Sequence, residues 1–111
     1  MKKADKVVVL ITTNSEEEAH KIAELLVNCR QAACVNIVPR VDSLFWWKDK
    51  LDSTPESLLL VKTKASLFPE IISLVKDINS DEVPEIIALP IIAARADYLQ
   101  WLDTACPPGY P

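Results

Sequence analysis

The sequence predicts a single α+β domain, residues 1–111, whose elements follow each other in the order β-α-β-β-α-β. Runs rich in β-branched residues alternate with stretches of helical period. Half of the residues are apolar, which is enough for one core. Prolines interrupt the second predicted strand and bracket the fourth, which is typical of edge strands. Together these observations favour a ferredoxin-like sandwich with its first and third strands in the centre of the sheet.

The first strand is predicted at Lys6–Thr13, where the sequence reads KVVVLITT. Apolar residues fill both of its faces, which indicates a central strand covered on both sides. A helix is expected to follow, because Ser15 and Glu18 have the spacing of a capping box. From Ala19 to Leu26 apolar residues recur at helical spacing, so one face of this helix should pack on the sheet.

A long second strand is predicted from Cys34 to Lys48. Pro39 lies in its middle and cannot donate a ladder hydrogen bond, so the strand is expected at an edge with a bend or bulge near Arg40. Asp49 and Lys50 are predicted to form the turn that follows.

The third strand is predicted at Leu51–Lys64, with a bulge or bend at Thr54 and Pro55. Its apolar part, SLLLVKT, favours a central position in the sheet. The second and third strands together would form a β-hairpin arm longer than the core of so small a domain can cover.

The second helix is predicted within SLFPEIISLVKDIN, residues 66–79, with Ser66 as its cap. VPEIIALPII, residues 83–92, is predicted as the fourth strand, bracketed by Pro84 and Pro90. A short C-terminal helix is expected from Ala94 to Thr104, and an extended tail, CPPGYP, would follow it.

Composition excludes several classes of function. The net charge is −4 and the pI about 4.9, which argues against nucleic acid and anionic membrane as partners. The single glycine, Gly109, excludes a P-loop or a dinucleotide-binding turn, both of which need several. No signal peptide or membrane span is predicted. Three cysteines without a C-x-x-C pair indicate reduced thiols and a cytoplasmic protein.

The aromatic run at residues 45–47 raises the question of what covers it. Alternation along a strand places Phe45 and Trp47 on one face and Trp46 on the other. The sheet face opposite the two helices is also apolar, so a second copy of the chain would best cover both regions. Folding back of the tryptophans on their own core, or a ligand platform, remains the alternative. The residues predicted at the interface are Phe45, Trp46, Trp47, Pro84 and Pro90.

Few residues suggest chemistry. His20 is the only histidine, and no nucleophile–base pair can be built around it, so no catalytic residue is predicted. Cys34 lies in an apolar strand and is expected to pack as an inert thiol. The acidic cluster of Asp81, Glu82 and Glu85 is the only weak metal candidate. Its oxygens could hold a hard cation, although such clusters are more often solvated turns.

Five segments of the chain resemble the CutA family of divalent-cation tolerance proteins. They occur in the family's order and spacing between Val7 and Leu102: AACVNIVP, SLFWWKDKL, LLLVKTK, VPEIIALPI and DYLQWL. The resemblance implies a ferredoxin-like homotrimer in which hairpin arms embrace neighbouring subunits. It also implies a role in tolerance of divalent metals, copper above all, and metal binding without a required cofactor.

The chain departs from the family at the positions that bear on copper. Asn79, Ser80 and Asp81 stand where the family has His-Pro-Tyr, and Ile78 replaces a histidine found in some members. Ile11 stands where copper-binding members have a cysteine. The imidazole and thiolate ligands proposed for copper are therefore missing. Three family glycines are also replaced, by Arg40, Asp49 and Ala94.

A trimer would create clefts between subunits, where small ligands often bind. The polar or amphipathic residues expected there are Asn36, Trp47, Lys62, Glu85, Tyr98 and Trp101, although hydrogen-bonded interface residues would have the same pattern. The sequence thus predicts a trimeric, non-enzymatic CutA-like protein of the cytoplasm. The alternative is a signalling or scaffold trimer of PII-like architecture that binds a small ligand.

Overall fold

The computed structural model describes residues 5–107 as a four-stranded antiparallel sheet with three α-helices. The strands are β1 (Lys6–Thr13), β2 (Cys34–Trp47), β3 (Lys50–Lys64) and β4 (Ile86–Pro90). The helices are α1 (Glu16–Asn28), α2 (Phe68–Lys76) and α3 (Ala96–Ala105). The sheet order is β2-β3-β1-β4, which confirms the central places predicted for the first and third strands. Most of the predicted tail lies outside the described residues.

The core lies between α1, α2 and one face of the sheet. Its side chains alternate along the central strands, with Val7, Val9 and Ile11 from β1 and Leu59 and Val61 from β3. Ala19, Ile22 and Leu26 of α1 are fully buried against them, as their spacing predicted. Burying each large aliphatic side chain contributes roughly 1.5–3 kcal/mol, so this layer positions everything else in the domain.

The predicted cap of α1 is confirmed. Ser15 is the N-cap and its hydroxyl accepts a hydrogen bond from the backbone N–H of Glu18 at 3.1 Å. The Glu18 carboxylate accepts a hydrogen bond from the backbone N–H of Asn14, the residue before the cap, at 3.1 Å. The predicted cap of α2 was wrong, because Ser66 lies in a short 3-10 turn, Ala65–Leu67, and the helix begins after it without a side-chain cap.

The bulge predicted in β2 is confirmed at Pro39 and Arg40. Val38 pairs with Leu58 and Val41 with Glu56, so two residues of β2 stand opposite Ser57 alone. The Ser57 hydroxyl fills the gap by donating to the Pro39 carbonyl at 2.7 Å. Pairing continues without a shift through Thr54 and Pro55, so these two residues form no bulge, although a bulge or bend was predicted there.

The hairpin turn lies one residue earlier than predicted, at Lys48 and Asp49, while Lys50 already belongs to β3. Both turn residues have positive φ, 49° and 63°. Two consecutive residues of this kind fit the right-handed twist of a two-residue hairpin, which usually selects Asn-Gly or Asp-Gly. The family glycine at Asp49 is thus replaced by a residue that occupies the left-handed region at some cost.

Replacing Asp49 with glycine is expected to raise the free energy of unfolding by about 1 kcal/mol, because glycine occupies a positive φ without a Cβ clash. Urea unfolding at fixed protein concentration measures the change. Asp49→Ala is the matched control and should lower stability, since alanine has a Cβ but no side-chain hydrogen bond to offer. If Asp49→Gly were the less stable of the two, the strain assigned to this turn would be wrong.

Candidate functional site

A groove of about 630 Å³ opens where the hairpin arm meets the chain before β4. Thr12, at the end of β1, lies at its base. Phe45 and Trp47 of the arm and Val83 of the segment before β4 supply its apolar walls. Its volume falls within the range of small-molecule sites.

The bulge in β2 decides which aromatic residues face this groove. Residues directly opposite each other in a ladder share a face, so Phe45, paired with Asp52, lies on the face of the even-numbered residues of β3. Before the bulge, even-numbered residues of β2 occupy that same face. The predicted alternation is confirmed, because Phe45 and Trp47 line the groove while Trp46 is 73% exposed.

Carboxylates line the groove on both sides. The predicted cluster of Asp81, Glu82 and Glu85 faces Asp52 and Glu56 from the arm. Between residues 5 and 107 none of the five forms an ion pair, and no group of three histidine, cysteine or acidic side chains has the arrangement of a metal site. The sequence reasoning missed Asp52 and Glu56, although extending the alternation of β3 from Leu58 would have found them.

Hydrogen bonds fix the segment that replaces the family's His-Pro-Tyr. The Ser80 N–H donates to the Glu18 carboxylate at 2.6 Å, and the Asn14 amide donates to the Asp81 carboxylate at 2.7 Å. The buried Asn79 amide donates to the Thr12 carbonyl at 3.1 Å. The start of α1 and the end of β1 thereby hold the acidic rim of the groove in place.

The residues predicted for a cleft fall into three places in one subunit. Trp47 and Glu85 lie in the groove. Asn36 and Lys62 lie on the sheet face opposite α1 and α2, which we call the outer face, and they are paired with Leu60 and Cys34 respectively. Tyr98 and Trp101 lie on α3 with ring centroids 5.5 Å apart, and partial burial, together with the nearby Cys34, raises the pKa of Tyr98.

The outer face carries many apolar side chains. Its half-buried or exposed side chains are Val8, Leu10, Val38, Leu58, Leu60, Ile87 and Leu89. The groove is an extension of the outer face, because Thr12 lies on the same side of β1 as Leu10, and Glu56 lies on the same side of β3 as Leu58. Pro84 and Pro90, predicted at the interface, flank the edge strand β4, and Pro90 is its last residue.

The side chains that could bind a soft metal are dispersed. His20 is exposed on α1, as expected of a solvated residue. Cys29 and Cys34 are half-buried, whereas Cys106 is 1% exposed and its burial raises the pKa of the thiol. Ile11, at the position of the cysteine in copper-binding members, is fully buried in the core. No helix among the described residues is long and apolar enough to cross a membrane.

Comparison with known proteins gives one consistent result. The family model CutA1, described as CutA1 divalent ion tolerance protein, matches residues 7–105. The divalent-cation tolerance protein CutA of Thermus thermophilus is 50% identical over 95 residues, 86% of this chain and 92% of that protein. Human protein CutA is 39% identical over 83% of this chain, which spans about half of the human protein, 51%. The crystal structure of CutA1 from Oryza sativa has a TM-score of 0.91 at 36% identity, covering 96% of this chain and 98% of that one.

Proposed function

Because the chain belongs to the CutA1 family of divalent ion tolerance proteins, we propose that it acts as a homotrimer in the tolerance of divalent metals. The single observation that carries the proposal is the family match over residues 7–105, which includes both the arm and the outer face. The fold of a ferredoxin-like sandwich, implied by the family resemblance, agrees with the observed strand order.

The proposed trimer rests on the amount of apolar surface that one subunit leaves uncovered. Trp46, Leu44 and Val83 are each more than 70% exposed, and Ile87 and Leu89 of the edge strand nearly half exposed. Several large apolar side chains left exposed on one subunit usually indicate an interface. In a closed ring of three copies, each outer face and each arm would contact a neighbour.

The residues present do not fit a histidine–cysteine copper centre. His20, the three cysteines and the groove lie apart, and no set of three soft or imidazole donors occurs in residues 5–107. The side chains that line the groove offer carboxylate, hydroxyl and amide oxygens, which suit hard cations rather than copper. We therefore propose that any copper response of this protein does not depend on the ligand set of copper-binding members.

This proposal predicts that a Cys29→Ser, Cys34→Ala, Cys106→Ala variant binds no copper at submicromolar free concentration with a defined stoichiometry. Equilibrium dialysis with elemental analysis measures bound Cu²⁺, and the wild-type protein, which retains its thiols, is the control. Stoichiometric binding of copper to the cysteine-free variant at submicromolar free concentration would contradict the prediction.

Light scattering on the wild-type protein tests the assembly separately and should give the mass of three chains.

The 630 Å³ groove favours a second candidate, a PII-like trimer that binds a small ligand between subunits. Native mass spectrometry of freshly purified trimer distinguishes the two candidates, because a retained organic molecule supports the PII-like candidate and a retained metal ion supports the first.

No catalytic role is proposed, and turnover that is lost on Lys62→Ala or Glu85→Ala would contradict that view. We propose a cytoplasmic location, supported by three unpaired cysteines, although relatives from Archaeoglobus fulgidus and Oryza sativa are described as periplasmic and chloroplastic.

A further inference from the structure

The groove carries negative charge on two sides and no cation of its own. Asp52 and Glu56 lie on the hairpin arm, and Asp81, Glu82 and Glu85 lie on the segment that leads into β4. No lysine or arginine lines the groove, and none of the five carboxylates forms an ion pair within residues 5–107. A cation that enters this concave, partly apolar site is attracted by several carboxylates, and more strongly than in bulk water.

The base of the groove holds a hydroxyl group without a partner. Thr12 lines the groove there and is only 8% exposed. The hydroxyl groups of the four other threonines each donate to a backbone carbonyl, whereas that of Thr12 forms no hydrogen bond in the part of the chain that the structure describes. Buried polar groups nearly always have a partner, because leaving one unpaired costs free energy. A ligand in the groove would supply that partner, and an ammonium group could donate to the hydroxyl oxygen.

The spacing of the charges and the walls between them favour an elongated cation. Asp52 and Glu56 lie on the same side of β3, about 13 Å apart along the strand, since each residue advances about 3.3 Å. Phe45 and Trp47 supply aromatic surface on which methylene groups can pack while charged groups stay with the carboxylates. A hydrated metal ion would reach only part of this row of carboxylates and would leave the aromatic walls uncovered.

We propose that the groove binds a linear aliphatic polyamine. Its ammonium groups pair with carboxylates on both sides of the groove and donate to the Thr12 hydroxyl, and its methylene chain packs on Phe45 and Trp47. Such a molecule carries several separated positive charges on one apolar chain, which is the combination that the groove presents in reverse. The site rests on the second candidate function, the PII-like trimer, and gives the chemical class of the ligand that this trimer would hold.

Three probes separate the contribution of charge from that of shape in titration calorimetry of the wild-type protein. Spermidine, a linear triamine, should bind with a stoichiometry of one molecule per chain. Hexaamminecobalt(III) carries the same charge without methylene groups and should bind at least about tenfold more weakly, the factor expected for about two buried methylene groups. Hexylamine keeps an apolar chain but has a single ammonium group, and it should also bind at least about tenfold more weakly. Equal affinity for spermidine and hexaamminecobalt(III) would mean that charge alone attracts the ligand, and would overturn the polyamine site.

Thr12→Val tests the hydroxyl, because valine keeps the shape of the side chain. The dissociation constant of spermidine should rise about threefold to tenfold, the loss expected for one hydrogen bond. The free energy of unfolding in urea should not fall, because the hydroxyl has no partner within residues 5–107. A less stable variant that binds spermidine as the wild type does would show a structural role for Thr12 and would contradict the proposal.

Glu56→Gln with Glu85→Gln removes one carboxylate from each side of the groove. This variant should raise the dissociation constant of spermidine about tenfold. Glu16→Gln with Glu24→Gln is the matched control, since it makes the same charge change on the exposed surface of α1 and should leave the constant within about twofold. Circular dichroism and light scattering confirm the fold and the assembly of each variant.

The outcomes distinguish the polyamine site from the function on which it rests. If the wild type binds no spermidine but native mass spectrometry shows another retained organic molecule, the polyamine class is wrong and the PII-like candidate stands. If spermidine binds equally to the wild type and to both groove variants, its site lies elsewhere and the proposal is overturned. A protein that binds no spermidine and retains no organic molecule would overturn the polyamine site and the PII-like candidate together.

Discussion

Leu59→Ala and Leu60→Ala are expected to damage the protein in two different ways, although the residues are neighbours in β3. Leu59 is fully buried beneath the helices, opposite Ile11 and Ile37. Its truncation leaves a cavity in a closely packed core and should lower the free energy of unfolding by about 2–5 kcal/mol. Urea unfolding of the variant and the wild type at the same protein concentration measures this loss.

Leu60 points to the outer face, opposite Leu10, and is only half-buried in one subunit. If a second copy covers this face, Leu60→Ala should leave the secondary structure of the subunit intact. It should, however, raise the trimer dissociation constant by about 10–100-fold, the loss expected for an interface residue worth 1.4–2.8 kcal/mol. An unchanged dissociation constant would mean that the outer face is not an interface.

The contrast between Leu59 and Leu60 also shows which features can be predicted from the sequence. The alternation of apolar residues in β1 and β3 predicts which side chains are buried under α1, because both the period of the strand and that of the helix are local. The cap at Ser15 and the bulge at Pro39 are equally local, since each depends on one residue's hydrogen-bonding capacity. These features were predicted within a few residues of their observed positions.

The errors and omissions arise where local sequence patterns are ambiguous or where the contact is between residues distant in the sequence. The turn was predicted one residue late because Asp49 has a lysine on each side, Lys48 and Lys50. No glycine marks which of these residues adopts positive φ. Ser66 was assigned as a cap, but the chain enters α2 through a 3-10 turn. The Asn14 amide donates a hydrogen bond to Asp81, and the Ser80 N–H donates one to Glu18. Each bond joins residues more than sixty positions apart, and no local pattern indicates such a contact. The groove therefore could not be predicted from the sequence alone.

Asp103→Asn is expected to release α3 from the sheet. Lys6 and Lys64 stand directly opposite each other on β1 and β3, an arrangement that is unfavourable for like charges. The Asp103 carboxylate lies 3.1 Å from the Nζ of Lys6 and 3.7 Å from that of Lys64. Both lysine side chains are largely buried, 11% and 17% exposed, whereas the carboxylate is half exposed at 54%.

The expected loss for Asp103→Asn is about 1–3 kcal/mol, because two largely buried ammonium groups would face each other, and Asp5 would be the one carboxylate still paired with Lys6 in residues 5–107. Part of it is offset, since an acidic residue in the last turn of a helix is itself unfavourable by roughly 0.3–1 kcal/mol. Urea unfolding gives the total, and hydrogen exchange of the α3 amides shows whether the loss is located there. Asp97→Asn on the same helix breaks an exposed pair with Arg95 and should cost less than about 1 kcal/mol.

The pH dependence separates this electrostatic role from simple packing. The Lys6 pKa is raised above its ordinary value of 10.5, first by the hydrogen bond to Asp5 and then by Asp103, against the lowering effect of burial. A lysine with a raised folded-state pKa contributes stability that is complete below pH 10.5 and is lost as the pH rises through the folded value. The gap between wild type and Asp103→Asn should therefore stay constant from pH 7 to the ordinary lysine pKa and narrow above it. A gap that does not change with pH across this range would mean that Asp103 holds α3 by shape rather than by charge.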